Sequence, residues 1–559
     1  MKRAEGIRVA HAVRDEIARA FQAIQKRRSP KAYFFSHLVR DDEVWKMRAK
    51  FGALIAQHSW RTRHAFADVR VGSYRYDQTQ EGGLNDNSKD DESYDYVTLP
   101  FGSSVDGLRH GLWRLTDARY REAVEKYLSR KSHELTYLNR NAHLPSFEKQ
   151  SPTVDLRWRN LPEVDVDHWG RYVENASKVA QEFPTIKDAY VEFQARHATR
   201  IYASTEGSLQ LQRMSYWRVE VYLWLLSANG DAVPWTLTHF VTDPNELPDL
   251  RQLKREIRTA VDRMTQVAAA PPLHAYAGPV LLDPVPAGLL LHEAIGHRLE
   301  GDRLLSTGEG HTFRDSIGEA VLPEFLSMRD DPSLAKFEGQ SLVGHYRFDD
   351  EGTPASSADL IDDGVLRGFL TSRQCVAKRH RSSGHARGRY HERPNSRMAV
   401  TIAEAKNGLD DAGMKAALLE EIRKQGVPYG IRILEANSGE TTTDSYNFQA
   451  FLGETNFATK VYPDGREEVV RGVDFVGTPI NAVRSIVAAG SRMEVDNAYC
   501  GAESGYVPVT TITPSLLVSH LELQAKSETP FTQYVYPIPW EPTAPTRRRK
   551  KRAKRARKA

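Results

Sequence analysis

Apolar positions in the first 25 residues recur at helical spacing. Val9, Val13, Ile17, Ala20, Phe21 and Ile24 share one face of the segment 7–25, which predicts an amphipathic helix. Aromatic and β-branched residues then concentrate at 32–39 and 67–76, two predicted strands. The segment 78–95 (QTQEGGLNDNSKDDESYD) is polar and acidic and predicts an exposed loop. A helix is predicted over 106–129, followed by a charged stretch with few core positions. Strand patterns return at 189–194, 199–205 and 208–227. All but one of the nine Trp precede residue 240, so this half should build an aromatic-rich core of its own.

A helix is predicted over 247–267, and the AAAPP run at 268–272 marks the expected domain boundary. Beyond it come a short apolar strand, 279–282, and an apolar helix from about Val285. From Ser341 onward strand and turn signals dominate. The Asp-Gly pairs at 363–364 and 464–465 lie between apolar or alternating runs and predict hairpins, with one helix inserted at 412–424. The expected organisation is an N-terminal domain over 1–270, a β-rich domain over 271–541 and a disordered tail over 542–559.

Composition adds three bounds. The 40% hydrophobic content is ordinary for a folded protein and excludes general disorder. No apolar run approaches the ~18 residues a membrane-spanning helix needs, so no membrane span is expected. The basic start, MKRAEGIRVAHAVRDEIARA, lacks an uninterrupted apolar stretch, so no signal peptide is expected and a cytoplasmic location follows. Two cysteines, Cys375 and Cys500, exclude a disulfide scaffold. The net charge of +4 hides an asymmetry. Ten Lys/Arg fall in the last thirteen residues; without them 67 basic residues face 73 acidic ones, leaving the body at −6. Nucleic-acid association is therefore not expected of the body, and only the tail could touch a polyanion.

The chemistry concentrates in LLLHEAIGHRLEGD, residues 289–302, where His292 and Glu293 precede His297. Zinc-protease helices space two histidines at i and i+4, which puts both on one face. Here the spacing is i, i+5, about 140° apart on an ideal helix. A local π-type turn would align the pair, and Gly296 would lower its cost. Spacing alone leaves two readings open: ligands of one metal ion, or core histidines satisfied by neighbours. Burying two ionisable groups unpaired after three leucines is expensive, and a cation would relieve that cost. Glu300 and Asp302 are competing ligands whose plainer roles are helix-end capping and surface charge. Cys375 reads as a small buried apolar residue. His385, Tyr390, His391 and Arg393 form either an exposed basic loop or a donor group near the metal.

The HExxxH segment resembles the metal-binding motif of the TldD/PmbA family of zinc metallopeptidases, in its metal-bearing TldD branch. Further similar segments follow in order: FDDEGTP at 348–354, LIDDGVLRGFL at 360–370, RPNSRM at 393–398, VRGVDFVGTPINAV at 470–483 and NAYCGAESGYVPV at 497–509. The early DVRVGSYRYD at 68–77 is similar to the family's N-terminal strand. The resemblance implies an α+β fold, TldD/PmbA-like, with an N-terminal α/β domain of mostly antiparallel sheet and a β-rich C-terminal domain. It implies His292, His297 and Cys500 as the ligands of one Zn2+ per chain, and Glu293 as general base. It also implies unfolded peptides or propeptides as substrates, and a homodimer or a heterodimer with a metal-free paralogue. The rival classes are a metal-bearing scaffold or accessory subunit without turnover, and a zinc hydrolase of other amides.

Overall fold

Long antiparallel strands frame both halves of the chain. A computed structural model describes residues 1–27, 30–79, 97–101, 104–133, 141, 143–306, 310–443, 450–526 and 530–540. In the first sheet β1 (Ala32–Lys50) pairs β2 (Ala53–Ser73) on one edge and β3 (Ile186–Ser204) on the other. Then β4 (Leu209–Leu226) and β5 (Ala232–Val241) continue it, all antiparallel. The strands β1 and β2 run well past the predicted segments because their outer halves are charged and pair across the ladder. Arg61 and Arg63 both reach Asp41, while Lys46 and Arg48 reach Glu192 on β3. Such cross-strand pairs support a strand that shows no hydrophobic alternation. For the same reason the two strands predicted at 189–194 and 199–205 are one continuous β3, with Arg196 held by Asp42 at 2.7 Å.

Four helices cover one face of this sheet. Those at one end are α1 (Arg3–Gln25) and α2 (Val105–His133); α3 (Val166–Ser177) and α4 (Leu250–Ala269) cover the other. The expected aromatic core lies under α3, where Trp169 stacks on Phe193 with ring centroids 4.1 Å apart and Trp217 is fully buried. The opposite face, which carries Met214, Tyr216 and Phe240 beside buried polar groups, meets the second half of the chain. There Arg40 and Arg200 grip Asp350 at 3.0 and 3.2 Å, and Gln210 and Gln212 donate to the Gly352 and Phe348 carbonyls. The FDDEGTP segment is thus a docking piece.

The second sheet comprises β6 (Ala275–Leu282), β7 (Leu326–Asp330), β8 (Ala358–Asp362), β9 (Val400–Ala405), β10 (Gly430–Thr441), β11 (Phe451–Val461), β12 (Val473–Gly477), β13 (Ile486–Ala502) and β14 (Gly505–Ala525). The order β14-β12-β11-β10-β6 closes on itself because β6 also pairs β14, so this part is barrel-like. β13 folds back on β14, and β9, β7 and β8 extend from β14's other side. Both Asp-Gly pairs form the predicted turns, with Asp363 and Gly364 at φ 50° and 76°. A helix over Asp411–Gln425 stands where one was predicted. The architecture is α+β, with an antiparallel N-terminal sheet and a β-rich C-terminal part.

The apolar helix α5 (Pro284–Ala294) follows β6 and packs on β14. Gly288 permits the approach, since a Cβ there would lie 2.9 Å from the Thr513 hydroxyl oxygen and 3.1 Å from a Thr511 methyl. The predicted tail at 542–559 and residues 80–95 of the predicted acidic loop lie outside the described residues. Gln78 and Thr79, at that loop's start, are buried rather than exposed, because Gln78 bonds the Val69 carbonyl and Thr79 bonds Asp77. Among the described residues no helix is long and apolar enough to cross a membrane.

His37 on β1 is buried beside the Thr116 hydroxyl, 2.8 Å away, and burial holds its imidazole at about 3 instead of the ordinary 6.5. Between those values the unfolded chain binds a proton that the folded chain does not. Stability should therefore fall as pH drops from 6.5 toward 3. Urea unfolding across that range should show a shallower pH slope for His37→Gln than for the wild type.

Candidate metal centre

Three donor atoms meet at the end of α5. The side chains of His292, His297 and Cys500 place their ligand atoms within 4.8 Å of one another. The Cys500 sulfur lies 3.3 Å from His292 Nε2 and 3.4 Å from His297 Nε2. A tetrahedral ion with Zn–S of about 2.3 Å and Zn–N of about 2.1 Å would set sulfur and nitrogen about 3.6 Å apart. Both sulfur–nitrogen separations therefore lie within a few tenths of an ångström of such an ion's needs.

The i, i+5 spacing is accommodated differently from the predicted π-type turn. The α-helix stops at Ala294, Ile295 takes φ −115° and ψ −52°, and a 3-10 turn carries residues 296–299. This break turns His297 back toward His292, and the two rings stand perpendicular with centroids 4.9 Å apart. Gly296 is needed here for space rather than for flexibility, since a Cβ would overlap the Met398 sulfur. Backbone bonds between Leu299 and Leu370, and between Gly301 and Leu370, hold the turn.

Buried charge surrounds the cluster. Glu300 is not among the three converging donors. Its Oε2 lies 3.1 Å from the second ring nitrogen of His297, Nδ1, and it also meets Arg303 and Arg397. A carboxylate on the far side of a ligand imidazole fixes the ring and its tautomer. Asp302 also lies outside the cluster, tied to the Ser372 hydroxyl and the Ser396 backbone. Arg397 donates to both the sulfur and the carbonyl of Cys500, at 3.2 and 2.9 Å. Sequence had shown Arg397 only as part of RPNSRM, a run that in fact packs around residues 296–302.

These contacts set the ionisation. Burial pushes the Cys500 thiol up, but His297, Arg397 and His292 outweigh it and hold the group well below its ordinary 9.0. Burial pushes His297 down, yet Cys500 and Glu300 lift it to about 10. Glu300 is buried, which raises its carboxyl, but His297, Arg303 and Arg397 take it below the ordinary carboxylate range. The geometry thus favours a thiolate among positive groups, the form in which cysteine binds metal. Glu293 is 6% exposed, and burial raises its carboxyl against the pull of His292 and His297. Gly439 on β10 lies so near that a Cβ would sit 3.1 Å from Glu293 Cγ.

The cluster opens into a cavity of about 560 Å³, lined by Glu293, Asp496, Glu440 and Tyr506 among others. The other candidates lie elsewhere. Cys375 is buried, which pushes its thiol up to about 12. The predicted exposed basic loop is buried or half-buried, because β7 supplies an acid: His385 is fully enclosed with Nε2 3.2 Å from Asp330. Tyr390 and His391 pack against His64, and Arg393 bonds Gln374. None of the four lines the metal cavity.

Residues 276–525 match a family model described as the PmbA/TldA metallopeptidase C-terminal domain. The match places a domain of the PmbA/TldA metallopeptidase type in the second half of the chain. A metalloprotease of Archaeoglobus fulgidus is 32% identical over 254 residues, covering 45% of this chain and 53% of that protein. A metalloprotease TldD homolog of Haemophilus influenzae is 30% identical over 277 residues, covering 48% and 52%. The chain thus spans about half the length of these curated relatives. The structure of TldE from Thermococcus kodakarensis superposes with a TM-score of 0.58 at 13% identity, covering 92% of this chain and 100% of that one, a likeness of fold.

The carboxylate behind His297 generates a prediction. Glu300→Gln should weaken metal binding by about 10–100-fold. Titration of the metal-loaded protein with a competing chelator would measure this, and an unchanged affinity would remove Glu300 from the site.

Proposed function

We propose that this chain is a zinc-dependent peptidase acting on unfolded or extended peptides. In this proposal His292, His297 and Cys500 hold the ion and Glu293 is the general base. The supporting observation is the convergence of two imidazoles and a thiolate at an open cavity, with Glu293 beside them. Three protein ligands leave one position of a tetrahedral ion for water, as in catalytic rather than structural sites. When bound, zinc would supply a Lewis acid that polarises a carbonyl and makes water acidic near neutral pH.

The chain's own residues supply the rest. Glu293 follows the first ligand directly and lines the same cavity, which places it to take a proton from water and return it to the leaving nitrogen. Arg397 and the two imidazoles stabilise Cys500 as thiolate. Glu300 fixes His297 so that Nε2 faces the cavity side.

Two strand segments support an extended substrate. Residues 498–502 of β13 and 437–441 of β10 both line the cavity. Over 498–502 β13 pairs β14 alone, and β10 pairs β6 only at 431–433, so both segments have an edge free of ladder partners among the described residues. A peptide could add to either edge through its main chain, which gives affinity with little dependence on sequence. The proposal includes a cytoplasmic dimer, of two such chains or with a metal-free partner.

Replacing Glu293 with Gln should leave one zinc per chain and reduce cleavage of an unstructured peptide by about 10²–10⁴-fold. Metal analysis and a cleavage assay on the same sample would check both parts. Full turnover in the loaded variant would exclude the general-base role and favour a different hydrolytic arrangement.

A further inference from the structure

A second cavity, of about 210 Å³, adjoins the metal cavity, and Tyr499 and Tyr506 line both. Its remaining walls come largely from the N-terminal sheet, outside the region that matches the family model. Trp60, Val44 and Arg196 stand in one register row across β2, β1 and β3, which brings them to one face. Asp42 neutralises Arg196 at 2.7 Å, and rings from Trp60, Tyr390, Tyr499 and Tyr506 line the space together with Thr62 and Gln194. Trp60 and Tyr506 are 44% and 60% exposed, large apolar surfaces left uncovered beside the metal cavity. Arg389 lines the same space, and its Nε is buried without a hydrogen-bond acceptor.

The position is tied to the metal site by covalent structure. Tyr499 precedes Cys500, and Tyr506 pairs with Gly501 across the β13–β14 hairpin. The Tyr506 ring lies flat enough on Gly501 that a Cβ there would come within 2.7 Å of it. Tyr499 and Cys500 point to opposite faces of β13, so a strand added to its edge would send alternate side chains to the second cavity and to the metal side. Small-molecule pockets run to about 300–1,000 Å³. A space of 210 Å³ instead suits one large side chain.

We infer that this cavity is a specificity pocket for an aromatic side chain of the peptide, with the N-terminal sheet supplying the recognition. The inference rests on the peptidase proposal for its substrate class. Its test uses two unstructured peptides identical except for one Phe or Ala near the cleaved bond. Wild-type zinc protein should cleave the Phe peptide with kcat/KM about tenfold or more above the Ala peptide, chiefly through KM. In Trp60→Ala that preference should fall to about one, and Thr62→Trp, which fills the cavity, should abolish it independently. Binding of both peptides to zinc-loaded Glu293→Gln, measured by calorimetry, separates the two ideas because it needs no turnover. Tighter binding of the Phe peptide that vanishes in Trp60→Ala upholds the pocket even if cleavage is never seen. Equal affinity for the two peptides, or equal losses on both in Trp60→Ala and Thr62→Trp, overturns it.

Discussion

A thiolate buried in protein must be matched by positive charge, and much of the C-terminal half is arranged to do so. Cys500 is 5% exposed, with an imidazole on each side and the Arg397 guanidinium in contact. Two of these three neighbours face a carboxylate. Glu300 faces both His297 and Arg397, and Arg303 links Glu300 to Glu503 at the cavity wall. Removing one member would leave the next as an unpaired buried charge, which costs more than the pair contributes. The network therefore ties together α5, the 296–305 turns, the RPNSRM run and the β13–β14 hairpin.

A second buried carboxylate joins the two halves of the chain. Asp350 sits between Arg40 and Arg200 on the face of the first sheet opposite its helices, and it also accepts the Gly388 amide. Gly388 leads directly into the 389–398 segment that supports the His-His-Cys cluster. The first sheet is thus mechanically continuous with the site, although no donor of the cluster comes from it.

The sequence was legible where chemistry or turn geometry is local. His292, Glu293 and His297 are close in the chain, and both Asp-Gly hairpins follow from residues that tolerate positive φ. Cys500 is more than 200 residues from His297. Nothing in its own neighbourhood links it to the helix, so it became visible through resemblance. The break at Ile295 was not legible, because the segments packed around it, Leu370 and Met398, are distant in the chain. Arg397 was missed because an arginine among polar neighbours reads as surface; only the fold brings its cation to the thiolate. The charged outer halves of β1 and β2 were missed for a related reason, since their partners lie on other strands.

The break at Ile295 also gives the two imidazoles different footings. His292 belongs to α5 and moves with β14 through the contact at Gly288, whereas His297 belongs to a short turn clamped by Leu370 and Met398. A regular helix would carry both rings as one rigid unit. Here the separation between the rings is a relation between two bodies, as in a pair of jaws, and loosening of the 370 or 398 segments would change the bite without disturbing the helix.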